Sequence, residues 1–264
     1  MATTQTRPSP APSRGRAALT KIGTGSLTLS GANTYSGGTL LAAGTLRLEN
    51  NLALGTDALT TTGSVVDYAN GITIANAIVV NSNTTQLQVT TGTAMQAGVI
   101  SELNGPRPIE KIGAGTLVLT AANTYTGPTT ISAGTLVVNG AIAHSSVTVT
   151  AGALLTGSGI AGPTTIMNGG MFAPGPIGTP GTMTVQGNLA FQSGAIYLVQ
   201  INSTTASNTN VTGSATLAGT VQAAFASGSY ATRTYTILSA AGGLGGTTFN
   251  ALTASNLPAG FTAS

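Results

Sequence analysis

Side chains able to carry out acid–base, metal or nucleophilic chemistry are scarce in this 264-residue chain. Charged residues make up 5% of it, there is one histidine and there is no cysteine. Paired carboxylates on one face could cleave a glycosidic bond or assist proton abstraction at a metal. Glu49 with Asp57, or Asp57 with Asp67, could approach each other, but turn or solvent positions are expected for them. The five acids are Glu49, Asp57, Asp67, Glu102 and Glu110.

The histidine and the glycine motifs do not complete a recognisable site. His144 has no second His or Cys to help it bind zinc, which takes three or four ligands, so a turn or surface position is expected. Gly157–Gly162 fits G-x-G-x-x-G, but no acid follows about 20 residues later and no helix is indicated. Gly242–Gly246 lacks the aspartates of calcium-binding repeats. We therefore expect no catalytic residue, no metal and no cofactor, and we expect the chain not to be an enzyme.

The positive charge is concentrated near the N-terminus. The net charge is +3, and after Lys111 the only charged side chain is Arg233. Nucleic-acid binding needs clustered Lys and Arg, so no nucleic-acid partner is expected. Residues 1–20 are basic and Pro-rich, which predicts a disordered leader without the apolar core of a secretion signal. No apolar run is long enough for a transmembrane helix.

A 28-residue phrase occurs twice. Lys21–Leu48 and Lys111–Val138 are identical at 16 positions without a gap, and within the first copy Leu27 recurs as Leu46. Self-similarity at about 20 residues is typical of stacked structural repeats. Thr, Val and Ile favour strands, while Gly, Asn and Pro favour the turns between them. The sequence predicts an all-β fold.

The spacing selects among all-β architectures. Many short strands suit either an antiparallel sandwich or barrel, or a parallel β-helix. The interval from Leu27 to Leu46 suits one coil of a three-sided β-helix, which would place Leu27 under Leu46. Alternation turns Leu46 and Leu48 inward and Arg47 outward. Spacing drifts over Asn50–Gly105, which predicts insertions there. Other predicted strands are Thr116–Leu119, Ile72–Ile74, Ile78–Val80, Leu87–Val89, Val147–Val149, Met183–Val185, Ile196–Ile201, Thr216–Val221 and Tyr235–Leu238.

The residues shared by the two copies are the candidate site residues, with a structural role. Each Asn is expected at a corner, in left-handed geometry or bonded to its own backbone. Each Tyr is expected to pack its ring and expose a polar tip; the alternative is a platform for stacking carbohydrate. These residues are Lys21, Gly23, Gly25, Asn33, Tyr35 and Gly44 in the first copy, and Lys111, Gly113, Gly115, Asn123, Tyr125 and Gly134 in the second.

The repeated phrase resembles the passenger-associated transport repeat of bacterial autotransporters. Three later segments resemble the C-terminal end of an autotransporter passenger. They are "GMFAPGPIGTPGTMTVQGNLAFQSGAIYLVQIN", "VTGSATLAGTVQAAF" and "YTILSAAGGLGGTTF", in that order along the chain. The resemblance implies a right-handed parallel β-helix over residues 21–200. It also implies a β-rich C-terminal cap over residues 201–264, similar to an autochaperone junction.

The same resemblance implies a function and a partner. The chain would be a non-enzymatic stalk segment, surface-exposed or secreted, whose C-terminal coils promote folding and translocation across the outer membrane. An outer-membrane β-barrel translocator is expected in the full-length protein. Two alternatives stay open. One is an adhesin that contacts glycans or cell surfaces, with Asn50–Gly105 as its candidate region. The other is a β-helical carbohydrate-active enzyme, which the scarcity of acids disfavours.

Overall fold

The computed structural model describes residues 17–258, 260 and 262. Over these residues every regular element is a β-strand, and none forms a helix that could cross a membrane. The named strands pair in parallel and stack coil upon coil, so the predicted all-β solenoid is confirmed. The predicted leader lies almost entirely outside the described residues. The chain divides into two compact units, residues 1–130 and 131–264.

Three parallel sheets form the first unit. The strands are short because a turn follows every few residues, as the Gly and Asn content requires. The first sheet contains β1 (Leu19–Lys21), β3 (Thr39–Leu41), β5 (Leu59–Thr61), β8 (Ile78–Val80) and β11 (Ile100–Glu102). The second contains β2 (Ser26–Leu29), β4 (Thr45–Leu48), β6 (Val65–Tyr68), β9 (Thr85–Gln88) and β12 (Ile109–Ile112). The third contains β7 (Thr73–Ile74), β10 (Thr93–Gln96) and β13 (Thr116–Leu119).

The core of this unit is a set of apolar ladders. Leu27 pairs with Leu46, and Leu46 pairs with Val66, as the period predicts. Leu46 and Leu48 are fully buried, whereas Arg47 points outward. Aligned side chains on successive coils bury one another, because strands of neighbouring coils lie about 4.8 Å apart. The hydroxyl of buried Tyr68 donates to Gln96 Oε1 at 3.0 Å, which satisfies the polar end of the ring.

The insertions predicted in Asn50–Gly105 are no more than a few extra residues at the corners of regular coils. The segment contributes seven of the strands above, β5 to β11, all paired in register with neighbouring coils. Its spacing drifts because the coils lengthen. Val66 pairs with Leu87, and Leu87 pairs with Lys111, so the second step along this ladder spans more of the chain than the first. Turns at the corners absorb the extra residues, so the ladders stay in register.

The second unit also has three parallel sheets, and β14 (Thr129–Ile131) lies at the division between the units. One sheet contains β15 (Thr135–Val138), β18 (Leu154–Gly157), β21 (Met171–Pro174), β24 (Ile196–Ile201), β27 (Thr220–Phe225) and β29 (Ala251–Ser255). Another contains β17 (Val147–Val149), β20 (Thr164–Ile166), β23 (Leu189–Phe191) and β26 (Ala215–Thr216). The third contains β16 (Ala141–Ile142), β19 (Ile160–Ala161), β22 (Thr182–Val185), β25 (Asn208–Val211) and β28 (Leu238–Ala240).

Aromatic rings fill the middle of the second unit. Phe172, Phe191 and Tyr197 are buried, with ring centroids 5.3 to 6.0 Å apart. Phe249 joins them, 5.2 Å from Phe191 and 5.7 Å from Tyr197. The Tyr197 hydroxyl bonds to Thr209 Oγ1 at 2.9 Å and also reaches the Ile237 carbonyl. Burial raises the pKa of this phenol, so it remains a neutral core group.

Two predicted strands of this unit are wrong. Thr216–Val221 is not one strand, because the chain turns at Gly219, between β26 and β27. Tyr235–Leu238 contributes only its last residue to a strand, β28. The Tyr235 hydroxyl donates to the carbonyl of Asn202 at 3.2 Å, and the Ile237 carbonyl accepts from Thr209 N at 3.0 Å, so this segment is held by hydrogen bonds outside a regular strand. The other predicted strands match observed ones, with end points that differ by up to two residues.

Candidate functional site

The first lysine of the repeat joins two coils. Lys21 ends β1, and its Nζ donates to the carbonyl oxygens of Ile22 at 3.0 Å and Gly23 at 2.6 Å in its own turn. It donates a third bond, of 2.9 Å, to the carbonyl of Ala43 on the next coil. An ammonium group has three donors and no acceptor, so three carbonyls satisfy it. We call this arrangement the carbonyl cage.

Glycines make room for the carbonyl cage. Gly44 follows Ala43 with φ of +76°, and a Cβ there would lie 2.4 Å from the Gly25 carbonyl oxygen and 2.7 Å from Lys21 Nζ. The Gly25 carbonyl also accepts from Thr45 N on the next coil. Gly23 has φ of +72°, but a Cβ on it would meet nothing within 4 Å. Gly44 is therefore required by space as well as by backbone conformation.

The second copy builds a similar cage at another corner, with three acceptors in the turn of the lysine itself. Lys111 Nζ donates to the carbonyls of Ile112, Gly113 and Gly115, each at 2.9 Å. Lys21 lies between the first and second sheets, whereas Lys111 lies between the second and third. Gly134 has φ of +66° at the position equivalent to Gly44. The phrase therefore carries the cage as a local unit that works on different faces of the solenoid.

Close packing against the preceding coil also accounts for the glycines of the second copy. A Cβ on Gly113 would lie 2.3 Å from the Val89 carbonyl oxygen. One on Gly115 would lie 2.7 Å from Val89 Cγ1, and Gly115 N donates to the same Val89 carbonyl at 2.8 Å. The turn fits on the coil below only because these two positions have no side chain.

Burial lowers the pKa values of the two lysines. Lys111 is 1% exposed and occupies a core position, paired in register with Leu87. Loss of hydration disfavours a charged amine, and it lowers the pKa of Lys111 to about 8. Burial lowers the pKa of Lys21 as well. At neutral pH the Lys111 amine therefore carries its proton and can donate to all three carbonyls.

The repeated asparagines connect neighbouring coils. Asn33 Nδ2 donates to the Ala53 carbonyl at 2.7 Å on the following coil. Asn123 Oδ1 accepts from Ile100 N at 2.8 Å on the preceding coil, and its Nδ2 donates to the nearby Ala121 carbonyl at 3.1 Å. Neither has positive φ, so left-handed geometry is not what these positions require. Their carboxamides supply bonds that continue the ladder through a corner.

The repeated tyrosines lie over threonines of their own turns. The hydroxyl of Tyr35 lies 2.7 Å from Thr39 Oγ1, and that of Tyr125 lies 2.8 Å from Thr129 Oγ1. Burial raises the pKa of Tyr35 more than its hydrogen bond to Thr39 lowers it. Tyr125 is buried, so its ring face is not accessible for stacking a sugar.

The acids occupy structural positions. Arg47 donates to Glu49 Oε1 and to Asp67 Oδ2, both at 2.7 Å, so the two carboxylates share one guanidinium. These bonds to Glu49 and Asp67 raise the pKa of Arg47. Asp57 is exposed and accepts from Ala58 N at 2.8 Å. Glu110 accepts from Gln86 Nε2 at 2.7 Å. Cleavage by paired carboxylates needs one that donates a proton and one that acts as a free base. Glu49 and Asp67 are both bonded to Arg47, which does not provide that arrangement.

Glu102 fastens β11 to the turn of the second repeat. Its Oε1 accepts from Thr126 N at 2.9 Å and Thr126 Oγ1 at 2.5 Å. Its Oε2 accepts from Arg107 N at 2.7 Å and Gly127 N at 3.2 Å. Burial alone would raise the pKa of Glu102, but the bonds from Thr126, Arg107 and Gly127 outweigh it and lower the pKa. The carboxylate therefore replaces backbone acceptors at this corner.

The remaining motif residues lie at corners and turns. His144 is exposed in the turn between β16 and β17. Within residues 17–258 no group of three or more His, Cys, Asp or Glu side chains is placed to hold a metal ion. Gly157, Gly159 and Gly162 each have a backbone oxygen of the preceding coil within 2.2 Å of where a Cβ would lie. They serve coil packing.

The role of the lysines was not foreseen from the sequence, although a signal was present. Lys21 and Lys111 are the only lysines in the chain, and both open the repeated phrase. Neither phrase contains an acid that could neutralise them at a matching position. A lysine repeated without a repeated counter-ion, followed by Gly-x-Gly, indicates an ammonium group held by backbone carbonyls.

Comparisons with known proteins place both lysines inside matches to one repeat family. The passenger-associated-transport-repeat family matches residues 19–48 and 109–138, which contain both lysine cages. The chain is 45% identical over 76 residues, 27% of its length, to the adhesin BmaC autotransporter of Brucella suis. It is 34% identical over 101 residues, 38% of its length, to an extracellular serine protease of Serratia marcescens. The matches span only 2% and 9% of those two proteins.

The sequence repeats, the parallel strand ladders and the matches to known proteins all indicate the same kind of protein. Each of the two copies of a family repeat holds its lysine ammonium among backbone carbonyls, and each lies in a stack of parallel strands. The adhesin autotransporter supplies the similarity at the higher identity. The chain is an autotransporter passenger-like β-helical protein that carries two passenger-associated-transport repeats.

Proposed function

We propose that this chain is a structural passenger segment of a bacterial autotransporter, and that it forms part of a surface-exposed or secreted stalk. An outer-membrane β-barrel in the full-length protein would serve as the translocator. The C-terminal coils, residues 201–264, would fold first outside the cell and promote movement of the rest. The work is mechanical, and no residue carries out catalysis.

The physical basis is stepwise stacking. Each coil buries apolar surface on its neighbour at about 25 cal/mol per Å², so adding a coil to a folded stack is favourable. Repeat stacks extend from a nucleus by nearest-neighbour contacts. The ladders of the second unit run through β27 and β29, which pair over five residues. This extended pairing supports a nucleating role for the C-terminal region.

The observation that carries the proposal is the carbonyl cage that joins successive coils. Lys21 satisfies its own turn with two bonds and binds the next coil with the third. A coil that stacks in the wrong register would take the Ala43 carbonyl away from this buried ammonium and leave it one acceptor short, which is costly. The cage thereby favours one register while the chain folds coil by coil.

Immunoblotting of fractionated native cells tests the export role. The antibody would be raised against residues 111–202. A band much heavier than 25.7 kDa in the outer membrane or medium is the expected result. A band near 25.7 kDa confined to the cytoplasm would contradict the proposal. Accessibility of the band to protease added to intact cells would separate surface exposure from periplasmic retention.

A second candidate function is adhesion, which the similarity to an adhesin autotransporter favours. Deleting residues 50–105 would be a poor test, because it removes seven strands and with them the fold. Point substitutions on outward side chains, assayed by attachment of native cells to a coated surface, leave the ladders intact. Full attachment in every such variant would contradict this candidate.

A further inference from the structure

One segment of the second unit departs from the strand ladders. It covers residues 227–236 and lies between β27, which ends at Phe225, and β28, which begins at Leu238. Among the residues that the structure describes, no amide or carbonyl of residues 227–235 takes part in a main-chain hydrogen bond. Backbone that lacks such bonds opens locally at little cost. We call residues 227–236 the strap.

Side-chain hydroxyls hold the strap in place at two points. The Tyr230 hydroxyl donates to the Ala226 carbonyl at 2.7 Å and lies 3.1 Å from the Ile201 carbonyl oxygen. The Tyr235 hydroxyl donates to the Asn202 carbonyl at 3.2 Å. The four residues between the two tyrosines are all exposed. The strap therefore presents a short polar stretch of main chain to solvent.

Arg233 lies within this exposed stretch. Its Nη1 donates to the Thr204 carbonyl at 2.8 Å, and the rest of the side chain is open to solvent. Serine proteases of the trypsin class bind a basic side chain in a specificity pocket and cleave the peptide bond that follows it. Exposed segments of small and polar residues are the preferred places for such cuts. Ala231, Thr232 and Thr234 surround Arg233 with small side chains.

The structure withholds the other basic residues from such a protease. The described residues contain five lysines and arginines in all. Lys21 and Lys111 are buried among carbonyls. Arg47 lies in β4, which pairs with strands on both sides, and it is bonded to two carboxylates. Arg107 is followed by Pro108, and trypsin-class proteases do not cleave the bond before a proline.

The part of the chain beyond the strap has its own contacts with the rest of the unit. β28 pairs with β25, and β29 pairs with β27 over five residues. The ring of Phe249 lies 5.2 Å from that of Phe191 and 5.7 Å from that of Tyr197. None of these contacts involves the strap. A cut in the strap would therefore leave the last strands bound by hydrogen bonds and packing.

We propose that the Arg233–Thr234 bond is a processing site for an arginine-specific serine protease, and that the cut chain stays assembled. The protease serine takes the acyl group of Arg233 while Thr234 leaves as an amine, and one water molecule then releases the Arg233 carboxylate. The product is two chains joined by strand pairing and ring contacts. The inference goes beyond the proposed export role and does not depend on it, since the purified folded chain is itself the substrate.

Limited digestion of the purified folded chain with trypsin tests the proposal. The first cut within residues 17–258 should give a fragment that begins at Thr234, identified by mass spectrometry. That fragment should elute together with the rest of the chain in gel filtration. Arg233→Gln should abolish it. Adding Ala231→Arg to Arg233→Gln should restore a cut in the strap, because access depends on the segment as well as on its arginine.

Ser193→Arg, also added to Arg233→Gln, is the matched control. Ser193 is exposed, but its corner is bonded, since Gln192 N donates to the Ile166 carbonyl at 2.9 Å and Ala195 N to the Gln192 carbonyl at 3.0 Å. This corner must open before it can be cut, so cleavage there should be at least about 100-fold slower than at the arginine introduced into the strap.

Three results would overturn the proposal. One is equal cleavage rates at the two introduced arginines, and another is an earlier cut after any other basic residue within residues 17–258. The third is separation of the new fragment from the rest of the chain in gel filtration, which would remove the assembled product. Circular dichroism would establish that each variant is folded before digestion. The wild type also decides by itself, because failure to cut at Arg233 while the chain remains folded would contradict the site.

Discussion

Replacing Gly44 with alanine tests the carbonyl cage directly. The new Cβ would lie 2.4 Å from the Gly25 carbonyl oxygen, 2.6 Å from that of Gly23 and 2.7 Å from Lys21 Nζ. All three distances are too short for a carbon atom. The ammonium or the turn must move, and the bond of 2.9 Å from Lys21 to Ala43 would be lost or lengthened. We expect the loosening to be centred on the two coils that the lysine joins.

The magnitude follows from three effects. A non-glycine residue in left-handed geometry costs about 1 kcal/mol. Forcing an extra carbon into a packed site costs about 1–3 kcal/mol. Weakening a hydrogen bond from a charged donor costs about 1.5–3 kcal/mol. These contributions overlap, so we expect Gly44→Ala to cost about 4 kcal/mol in local stability. Gly23→Ala shares only the backbone effect, because its Cβ would meet no atom within 4 Å, and it should cost about 1 kcal/mol.

Native-state hydrogen exchange is the suitable assay, because a stack of repeats opens locally as well as globally. The reporting amides are those of Ala42, which donates to the Lys21 carbonyl, and Thr45, which donates to the Gly25 carbonyl. A loss of about 4 kcal/mol speeds their exchange roughly 700-fold, and a loss of about 1 kcal/mol about fivefold. Equal acceleration in the two variants would refute the role of the cage. A double-mutant cycle with Lys21→Ala should show coupling, since removing the ammonium relieves part of the clash.

Three further predictions concern charge and packing. The pKa of Lys111 is about 8 in the folded chain and 10.5 as the ordinary value, so the unfolded chain binds more protons between these values. Urea unfolding should therefore show the wild type gaining stability relative to Lys111→Met as pH rises through that window, and a constant difference would contradict the burial of the amine. The lowered pKa of Glu102 means that its contribution is present above about pH 4.5 and is lost as pH falls through the folded value. Glu102→Gln should cost about 1 kcal/mol at pH 7 and progressively less as the pH falls below 4.5, and a pH-independent difference would be the contrary result. Phe172→Ala should destabilise the second unit by about 3–5 kcal/mol, measured by exchange of its core amides, because it empties a fully buried aromatic site. Unchanged protection of those amides would show that the ring cluster does not hold the unit together.

The fold could be predicted where one period governs the chain. The sequence interval from Leu27 to Leu46 predicted that the two residues stack, and they do pair in adjacent parallel strands, because they lie at the same point of neighbouring coils. Prediction failed where corners change length. Coil spacing grows towards Lys111, whose ladder partner is Leu87, and a fixed period interprets that growth as an insertion. Thr216–Val221 has strand-forming residues at both ends, but a Cβ on Gly219 would lie 2.2 Å from the Ala195 carbonyl oxygen, and the turn there divides the segment.

The candidate residues could be found from the sequence, but their contacts could not. Repetition identified Lys21 and Lys111, yet the partners of an ammonium group are usually sought among acids. Here the partners are main-chain carbonyls. Every residue has one, so the residue types in a sequence do not indicate which carbonyls will accept a bond from the lysine. One of the three bonds of Lys21 crosses to Ala43, 22 residues away, and only the coil register brings them together.

The cage also gives a physical reason why a chain with so few charges keeps a lysine in each repeat. A neutral side chain of similar length could fill the space, but it would leave the turn carbonyls without a donor as the next coil covers them. An ammonium supplies three donors on a flexible stem, which can bind its own turn before the next coil arrives and the next coil afterwards. On the proposed route of export, the chain passes the membrane with one lysine per repeat and folds outside. The same lysine is then desolvated only in the stacked state, where Ala43 completes its set of acceptors. The charge of Lys21 is therefore well solvated in the unfolded chain and fully bonded in the correctly stacked one, whereas a misregistered stack would leave it one acceptor short.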